Sequence, residues 1–360
     1  MLRIMVYDRR IVVENIKEKS VGSNYKLIDL LKFICAFLVI GIHTRPFQAS
    51  NVALDELFYY DISNYAVPFF YACTGYFAIV KQPEERLHTK LIFRCKKVLR
   101  LYLGWSVIYL PLTICGWWIE DGGIKYWIGC LRNYIFVGEN YYSWTLWYLN
   151  GLIFALFLID VLLKWFSIKQ IFGIGTFAYL AGIGLTMLND HLESMPLFFS
   201  RLVNLYFSVF VTTRNGLFQS LVFVTLGMLM AEINQANELK LSVKNGFFTG
   251  IIYIIKVGFS LIGWEYFSKV LDLPTFWFLF ELVICTCKMV KFRGSFYKQL
   301  RGMSETIYFV HMYFVAFCSL VLYKENYRNF KSYFICAGGA TIIALLCQIY
   351  KSKKEVIKNG

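Results

Sequence analysis

Long apolar runs alternate with short polar segments from residue 28 almost to the end of the chain. A helix needs about 20 apolar residues to cross the hydrocarbon core of a bilayer. Runs that approach this length are predicted at about 28–45, 62–80, 98–118, 144–163, 171–188, 216–231, 246–263, 273–289, 303–322 and 332–350. A further apolar segment at 196–212 is predicted to be interfacial or re-entrant. The pattern therefore predicts an all-α fold, a polytopic transmembrane helical bundle of about ten spans.

The composition agrees with a single membrane domain. Of the 360 residues, 58% are hydrophobic and 19% are aromatic, whereas soluble domains are about 45–50% apolar. We predict a cytoplasmic N-terminal segment at 1–25, a transmembrane domain at 26–351 and a cytoplasmic tail at 352–360. Residues 1–25 are mixed and charged and contain no sustained apolar run, so a signal peptide is not expected there.

The basic residues indicate how the bundle is oriented. A net charge of +14 would suggest nucleic-acid binding in a soluble protein, but these residues lie between hydrophobic runs, so no nucleic-acid partner is expected. When the N-terminus is placed inside, the cytoplasmic segments collect most of the Lys and Arg. The chain is therefore predicted to be a multi-pass protein of the cell membrane, embedded in the lipid bilayer with both termini cytoplasmic. Lys32 then lies near the inner surface and His43 in the outer half.

The first predicted span, KLIDLLKFICAFLVIGIHTRP at 26–46, carries ionisable residues on one face. Eleven residues of helix return to nearly the same face, so Lys32 and His43 are aligned about 16 Å apart along the axis. Asp29 and the small Ala36 share that face. Ionisable groups aligned within a membrane helix usually line a functional site. His43 is either an interfacial residue at a helix end or a neutral imidazole that acts as a general base.

A basic stripe begins the third predicted span. Arg94, Lys97 and Arg100 in RCKKVLR are spaced three apart on one side of a helix. Ordinary anchoring at the inner surface is one explanation of such a stripe. Arg100, however, lies within the helix, and a desolvated guanidinium requires an anion such as phosphate. A phosphorylated cytoplasmic cofactor is the second explanation.

Three further residues are candidates for binding a substrate, and each has a structural alternative. Tyr148 shares a helix face with Trp144, which is also typical of an aromatic belt at the membrane boundary. Arg214 begins a span, where the helix dipole disfavours a cation, so we expect a ligand or a buried carboxylate partner. His311 shares a face with Tyr308 near mid-membrane, where it is either a site residue or a core histidine bonded to a carbonyl.

Two more expectations concern charges and thiols. Lys256 and Glu281 lie in neighbouring predicted spans at similar depth, and we predict that they form an intramembrane ion pair, since either charge alone would be costly in lipid.

The ten cysteines are scattered and show no CxxC or Cys/His ligand spacing. We therefore expect small buried hydrophobes, and neither a disulfide framework nor a metal site.

The assembled pattern resembles the acyltransferase-3 family of polytopic membrane acyltransferases. The motifs that carry the resemblance run in order from KFICAFLVIGIHT (32–44) through NYAVPFFYACTGYF (64–77), KVLRLYLGW (97–105), LWYL (146–149) and TRNGLF (213–218) to IYFVH (307–311). Within that family the chain looks similar to the membrane domains of serine racemases from vancomycin-resistance clusters and to stand-alone relatives in Gram-positive bacteria. Lysine stands at 32 and 97, where the family commonly has arginine.

The resemblance implies a bacterial membrane O-acyltransferase. It implies that His43 is the base, that Lys97 and Arg100 bind an acyl-CoA donor, and that the acyl group, expected to be acetyl, passes to a hydroxyl of a sugar or cell-envelope acceptor. Arg94 and Lys32 join the expected donor site. Asp29, Tyr148, Arg214 and His311 are the expected substrate-binding residues, no metal is expected, and a homodimer is a possible assembly. The alternative is a serine-binding or transport module like the membrane part of those racemases.

Overall fold

The structure, a computed structural model, describes residues 25–80, 87–236, 238–239, 242–290 and 293–359. Every regular element in these ranges is helical. The α-helices, numbered in chain order, are α1 (Lys26–Thr44), α2 (Val52–Glu56), α3 (Ala66–Val80), α4 (Leu87–Ile119), α5 (Gly123–Phe136), α6 (Leu146–Leu162), α7 (Ile168–Asp190), α8 (Leu197–Phe210), α9 (Leu221–Gln235), α10 (Val243–Leu261), α11 (Glu265–Met289), α12 (Phe296–Phe317) and α13 (Phe330–Asn359). Short π-helical or 3₁₀ turns adjoin α2, α3, α9 and α12, at Leu57–Ile62, Ser63–Tyr65, Gly216–Ser220 and Cys318–Leu322.

The polytopic helical bundle is confirmed, whereas the count of ten spans is not. Each predicted span contains a helix, but seven helices in the described ranges are long and apolar enough to cross a membrane. The helices α3 and α6 are shorter than these seven, with 15 and 17 residues. The segment predicted to be interfacial forms α8, of 14 residues. The predicted segment 1–25 lies outside the described residues except for Tyr25, and α13 continues through the predicted tail to Asn359.

Contacts between helices distinguish two ends of the bundle. We define the lower end as the end at which α1 begins and the upper end as that at which α1 ends. At the lower end Asp29 of α1 faces Arg301 near the start of α12, with oxygen and nitrogen 3.8 Å apart. At the upper end the ring of His43 contacts that of Trp144, just before α6. The charge pattern predicts that the lower end faces the cytoplasm.

The most extensive helix contact in the described bundle joins α9 to α3. A Cβ atom on Gly75 would lie 1.9 Å from the carbonyl oxygen of Val224, and one on Gly227 would lie 1.9 Å from that of Ala72. Small residues allow membrane helices to approach closely enough for backbone contact. Residues 221–228 are all buried, so α9 is the central helix around which α3, α6 and α7 are arranged.

The predicted ion pair between Lys256 and Glu281 is wrong. The ammonium group of Lys256 instead contacts the Asp61 carboxylate directly and lies 3.3 Å from Asp272. Asp272 also accepts hydrogen bonds from the side chains of Asn64 at 2.9 Å and Tyr65 at 3.2 Å. Two carboxylates from separate segments meet one ammonium, since Asp61 lies in the irregular turn before α3 and Asp272 lies in α11. This Lys256 network connects three parts of the upper half of the bundle.

Candidate functional site

Two histidines meet near the upper end of the bundle. The ring centroids of His43, at the end of α1, and His311, in α12, are 5.4 Å apart with planes 35° from parallel. The extensive packing of α12 on α1 places them together. His43 is partly exposed, whereas His311 is fully buried. The two rings thus lie against each other, and the His311 ring is enclosed within the protein.

The hydrogen bonding of His311 indicates its tautomer. Its Nδ1 lies 3.1 Å from the carbonyl oxygen of Ile307, and because a carbonyl can only accept, Nδ1 carries the proton. Nε2 is then an acceptor, and it is buried without a hydrogen-bond partner among the described residues. Buried polar atoms are nearly always paired, so an unpaired acceptor beside a second imidazole is a candidate for binding an incoming group. The structure thus shows the predicted bond of His311 to a carbonyl, and its role in a site stays a prediction.

Aromatic and charged side chains surround His43. Its ring stacks on Trp144 at a centroid distance of 5.8 Å. The guanidinium of Arg214 lies 5.8 Å from the centroid of the Trp147 ring and within electrostatic range of His43. The expected carboxylate neighbour of Arg214 is Glu139 in the loop before α6: burial raises the pKa of Glu139 above its ordinary value and the charge of Arg214 opposes the rise. No pattern in the sequence singled out Glu139.

A cluster of tyrosines lies directly below the histidines. Tyr308, one turn before His311, has its ring centroid 5.5 Å from that of Tyr148. Tyr71 contacts Tyr148 in turn, at 4.9 Å, and its hydroxyl donates to the Tyr148 carbonyl at 3.1 Å. The structure therefore brings three predicted substrate-binding residues, Tyr148, His311 and Arg214, into the neighbourhood of His43. Tyr308 shapes the same surface, and the sequence marked it only by its position on the His311 face.

One face of α3 continues from this cluster to the lower end. Phe70, Thr74 and Phe77 are spaced i, i+4 and i+7, so they share that face. Phe70 contacts Tyr148 and Tyr308 at centroid distances of 6.0 and 5.6 Å. At the other end of the face, the ammonium of Lys32 lies 5.4 Å from the centroid of the Phe77 ring. This face of α3 thus extends from the tyrosine cluster below the histidines to Lys32.

The lower end carries most of the predicted donor-binding residues. Arg94 donates to the carbonyl oxygens of Phe77 at 2.7 Å and Thr74 at 3.4 Å. It therefore caps the last turn of α3, where a cation is also favoured by the helix dipole. Lys97 and Arg100 are exposed on α4, and their charges are directed outward from the bundle. Arg94 has a structural function, and the other two are the more accessible to an anion.

Asp29 lies far from the other predicted substrate-binding residues. It precedes His43 by fourteen positions, which correspond to about 21 Å of helix, and it faces Arg301. Asp29 therefore belongs with Lys32 and Arg94 at the lower end. Of the ionisable residues predicted on one face of α1, Asp29 and Lys32 therefore lie at the lower end and His43 lies at the upper end.

Chemically, the upper site can accept a proton. A neutral imidazole that is partly exposed and flanked by a second imidazole is a competent general base for a hydroxyl group. Basic side chains at the lower end are suited to an anionic group. The described residues include no cluster of three or more His, Cys, Asp or Glu side chains that could hold a metal ion.

Comparison with known proteins supplies the family. An amino-acid racemase of Enterococcus faecalis is 31% identical over 219 residues, 58% of this chain and 29% of the relative. A serine/alanine racemase of Enterococcus gallinarum is 28% identical over 217 residues, 59% of this chain and 30% of the relative. A second amino-acid racemase of Enterococcus faecalis is 25% identical over 290 residues, 79% of this chain and 38% of the relative. The chain thus matches only about a third of their length, and no solved structure matches it.

The family model described as an acyltransferase domain, acyltransferase-3, matches residues 25–349. That range includes both histidines, the tyrosine cluster and the basic residues of the lower end. Since the match covers most of the helical membrane bundle, the chain belongs to the acyltransferase-3 family of membrane acyltransferases.

Proposed function

We propose that this protein moves an acyl group, acetyl in the simplest case, from cytoplasmic acyl-CoA to a hydroxyl of a sugar or another cell-envelope acceptor. The observation that carries the proposal is the pairing of His43 with His311 at the end of α1 opposite Lys32. In a bacterial cell membrane with both termini cytoplasmic, the donor would bind at the lower end, through Lys32, Lys97 and Arg100. The acceptor would arrive from the upper, outer side.

In this mechanism His43 accepts the proton of the acceptor hydroxyl as the oxygen attacks the thioester carbonyl. The ester C–O bond forms, the C–S bond breaks, and the proton passes from His43 to the departing thiolate, which leaves as free CoA. His311 can accept a hydrogen bond from the transient imidazolium through Nε2, its unpaired atom. Tyr148 and Arg214 would shape the surface against which the acceptor rests. Asp29 would hold Arg301 and thereby the lower ends of α1 and α12.

The test uses membranes that contain the full-length protein and acetyl-CoA labelled on the acetyl group. The readout is label incorporated into envelope material as an alkali-labile ester. His43→Ala should lower the initial rate by at least about 100-fold, since positioned general bases contribute about 10²–10⁴-fold. Transfer at the normal rate by His43→Ala would refute the mechanism.

His191 offers a matched control for the same assay. It is exposed at the end of α7, and its Nδ1 lies 2.9 Å from the Met187 carbonyl oxygen. His191→Ala should therefore transfer acyl groups at the rate of the unmodified protein. The amount of folded protein, measured by size-exclusion chromatography in detergent, must match among the variants.

A serine-binding or transport function is the second candidate, and the similarity of the chain to part of a serine/alanine racemase favours it. In that case a small amino acid, instead of an acyl group, would pass between the two ends of the bundle along the face of α3 described above. Proteoliposomes distinguish the two. Uptake of labelled serine without CoA would support transport, whereas acyl-CoA binding that is weakened by Arg100→Ala would support acyl transfer.

A further inference from the structure

An open cleft of about 920 Å³ lies at the upper end of the bundle, beyond the end of α1. One wall is formed by the turn after His43, including Pro46 and Gln48, and the other by the segment between α12 and α13. The volume is that of a ligand-binding cleft. Most of its lining residues are exposed, including Arg328, Lys331 and Gln48.

Stacked aromatic rings extend from His43 towards the cleft. Tyr327 lines the cleft and lies within electrostatic range of Tyr142. Tyr142 stacks on Trp144 at a centroid distance of 5.1 Å, and Trp144 stacks on His43 at 5.8 Å. A ligand seated against Tyr327 would therefore be two aromatic rings away from the imidazole of His43. Pro46, on the opposite wall, is only three residues from His43 in the chain.

The lining chemistry suits an anionic saccharide. Tyr323 and Tyr327 each provide an aromatic ring, against which the apolar face of a sugar ring can pack, and a phenolic hydroxyl group that can form hydrogen bonds. The Asn326 amide and the Glu325 carboxylate provide hydrogen-bonding groups for sugar hydroxyls. Arg328 and Lys331 outnumber the single acid, and the Arg328 guanidinium lies 5.8 Å from the centre of the Tyr327 ring.

We propose that this cleft binds the acceptor as an anionic glycan, with sugar rings against Tyr323 and Tyr327 and carboxylate or phosphate groups against Arg328 and Lys331. The proposal rests on the proposed acyl transfer, to which it adds the class of acceptor. It also assigns the segment between α12 and α13 to substrate recognition. A sugar hydroxyl that extends past Tyr142 and Trp144 would reach His43.

The test measures binding of fluorescently labelled probes to the purified full chain in detergent by thermophoresis. The probes are a hexamer of galacturonate, a hexamer of glycerol phosphate and the neutral maltohexaose. At least one anionic probe should bind about tenfold more tightly than maltohexaose, and its affinity should fall with salt. A preference for the first anionic probe or the second identifies carboxylate or phosphate as the recognised group.

Two variants and one control locate the site. R328A/K331A should weaken the anionic probe at least tenfold, and Tyr327→Ala should weaken it by a similar factor by removing the aromatic face. K164A/K169A removes two exposed lysines near the lower end and should leave the affinity unchanged. Failure of both anionic probes to bind, or equal losses in R328A/K331A and K164A/K169A, would overturn the proposal.

A separate readout distinguishes this proposal from the acyl transfer on which it rests. His43→Ala should bind the anionic probe as tightly as the unmodified protein, because His43 does not line the cleft. Probe binding without any acyl transfer by the unmodified protein would remove the proposed function and retain an anionic-glycan site. Acyl transfer with no probe binding would remove the anionic-glycan site and retain the proposed function.

Discussion

The Lys256 network provides the sharpest test of how buried charges hold the upper half of the bundle. We consider the replacement of Lys256 by Met, which is similar in length and uncharged. The Lys256 side chain is 1% exposed, and those of Asp61 and Asp272 are 2% and 7% exposed. Lys256→Met therefore leaves two carboxylates in an environment from which water is largely excluded. The ammonium–carboxylate distance of 3.3 Å to Asp272 corresponds to about 5 kcal/mol at an effective dielectric constant near 20.

The net loss is smaller than the Coulomb energy because Asp272 keeps its hydrogen bonds from Asn64 and Tyr65. Removal of one member of a buried ion pair typically costs about 3–5 kcal/mol. An unfolding entropy of about 2.1 cal/mol/K per residue gives about 0.76 kcal/mol/K for this chain, so Lys256→Met should lower the unfolding temperature by about 4–7 °C. The replacement D61N/K256M removes one of the stranded charges and should recover most of that loss.

The assay follows unfolding in detergent with a dye that fluoresces on reaction with thiols. It suits this protein because all ten cysteines are free and most are buried. The informative comparison is a pair of double-mutant cycles, Lys256 with Asp61 and Lys256 with Glu281. Contacting residues should show a coupling free energy above about 0.5 kcal/mol, whereas independent residues should be additive. Coupling of Lys256 to Glu281 with none to Asp61 would refute the assignment of the network.

Three further predictions concern the helix crossing, the donor and pH. Gly227→Ala should lower the yield of folded protein, since its Cβ would lie 1.9 Å from a backbone oxygen, whereas Gly258→Ala, with open space around it, should not. Arg100→Ala should raise the KM for acyl-CoA about 10- to 150-fold, since a charge-assisted hydrogen bond contributes about 1.5–3 kcal/mol, whereas Lys125→Ala should leave it unchanged. Because burial raises the pKa of Glu139, ionisation of Glu139 destabilises the folded state. Glu139→Gln should therefore raise the unfolding temperature at pH 7.5 and lose that advantage as the pH falls below the ordinary carboxyl range; an advantage at every pH would contradict this reasoning.

Periodicity within single helices was the most reliable guide to this protein. The alignment of Lys32 with His43 depends only on the geometry of one helix, and the structure confirms that both lie on α1. The pairing of His43 with His311 depends on the packing of α12 against α1, 268 positions away in the chain. Neither helix carries a local signal of its partner. The sequence therefore predicted each histidine separately, and their contact required the fold.

The wrong partner of Lys256 has a related origin. Depth within neighbouring spans was the criterion that chose Glu281, but Asp61 lies in an irregular turn to which a sequence pattern assigns no depth. The span predicted at about 273–289 also began too late, since α11 begins at Glu265 and contains Pro274 in its interior. Neighbouring membrane helices tolerate such a proline by satisfying the freed backbone groups. Asp272 therefore lies within a helix, from which it supplies the second carboxylate of the network.

The position of the Lys256 network connects stability to the proposed chemistry. Asp61 and Asn64 belong to the irregular turns before α3, and these turns pack against the upper half of α1. A Cβ on Gly41, two residues before His43, would lie 2.4 Å from the Phe58 ring in the first of these turns. The end of α1 is therefore held on one side by the irregular turns and on the other by α12. The buried charges of the Lys256 network thus fix the turns against which His43, the proposed base, is positioned. A general base requires such a rigid support in order to meet a hydroxyl at hydrogen-bonding distance.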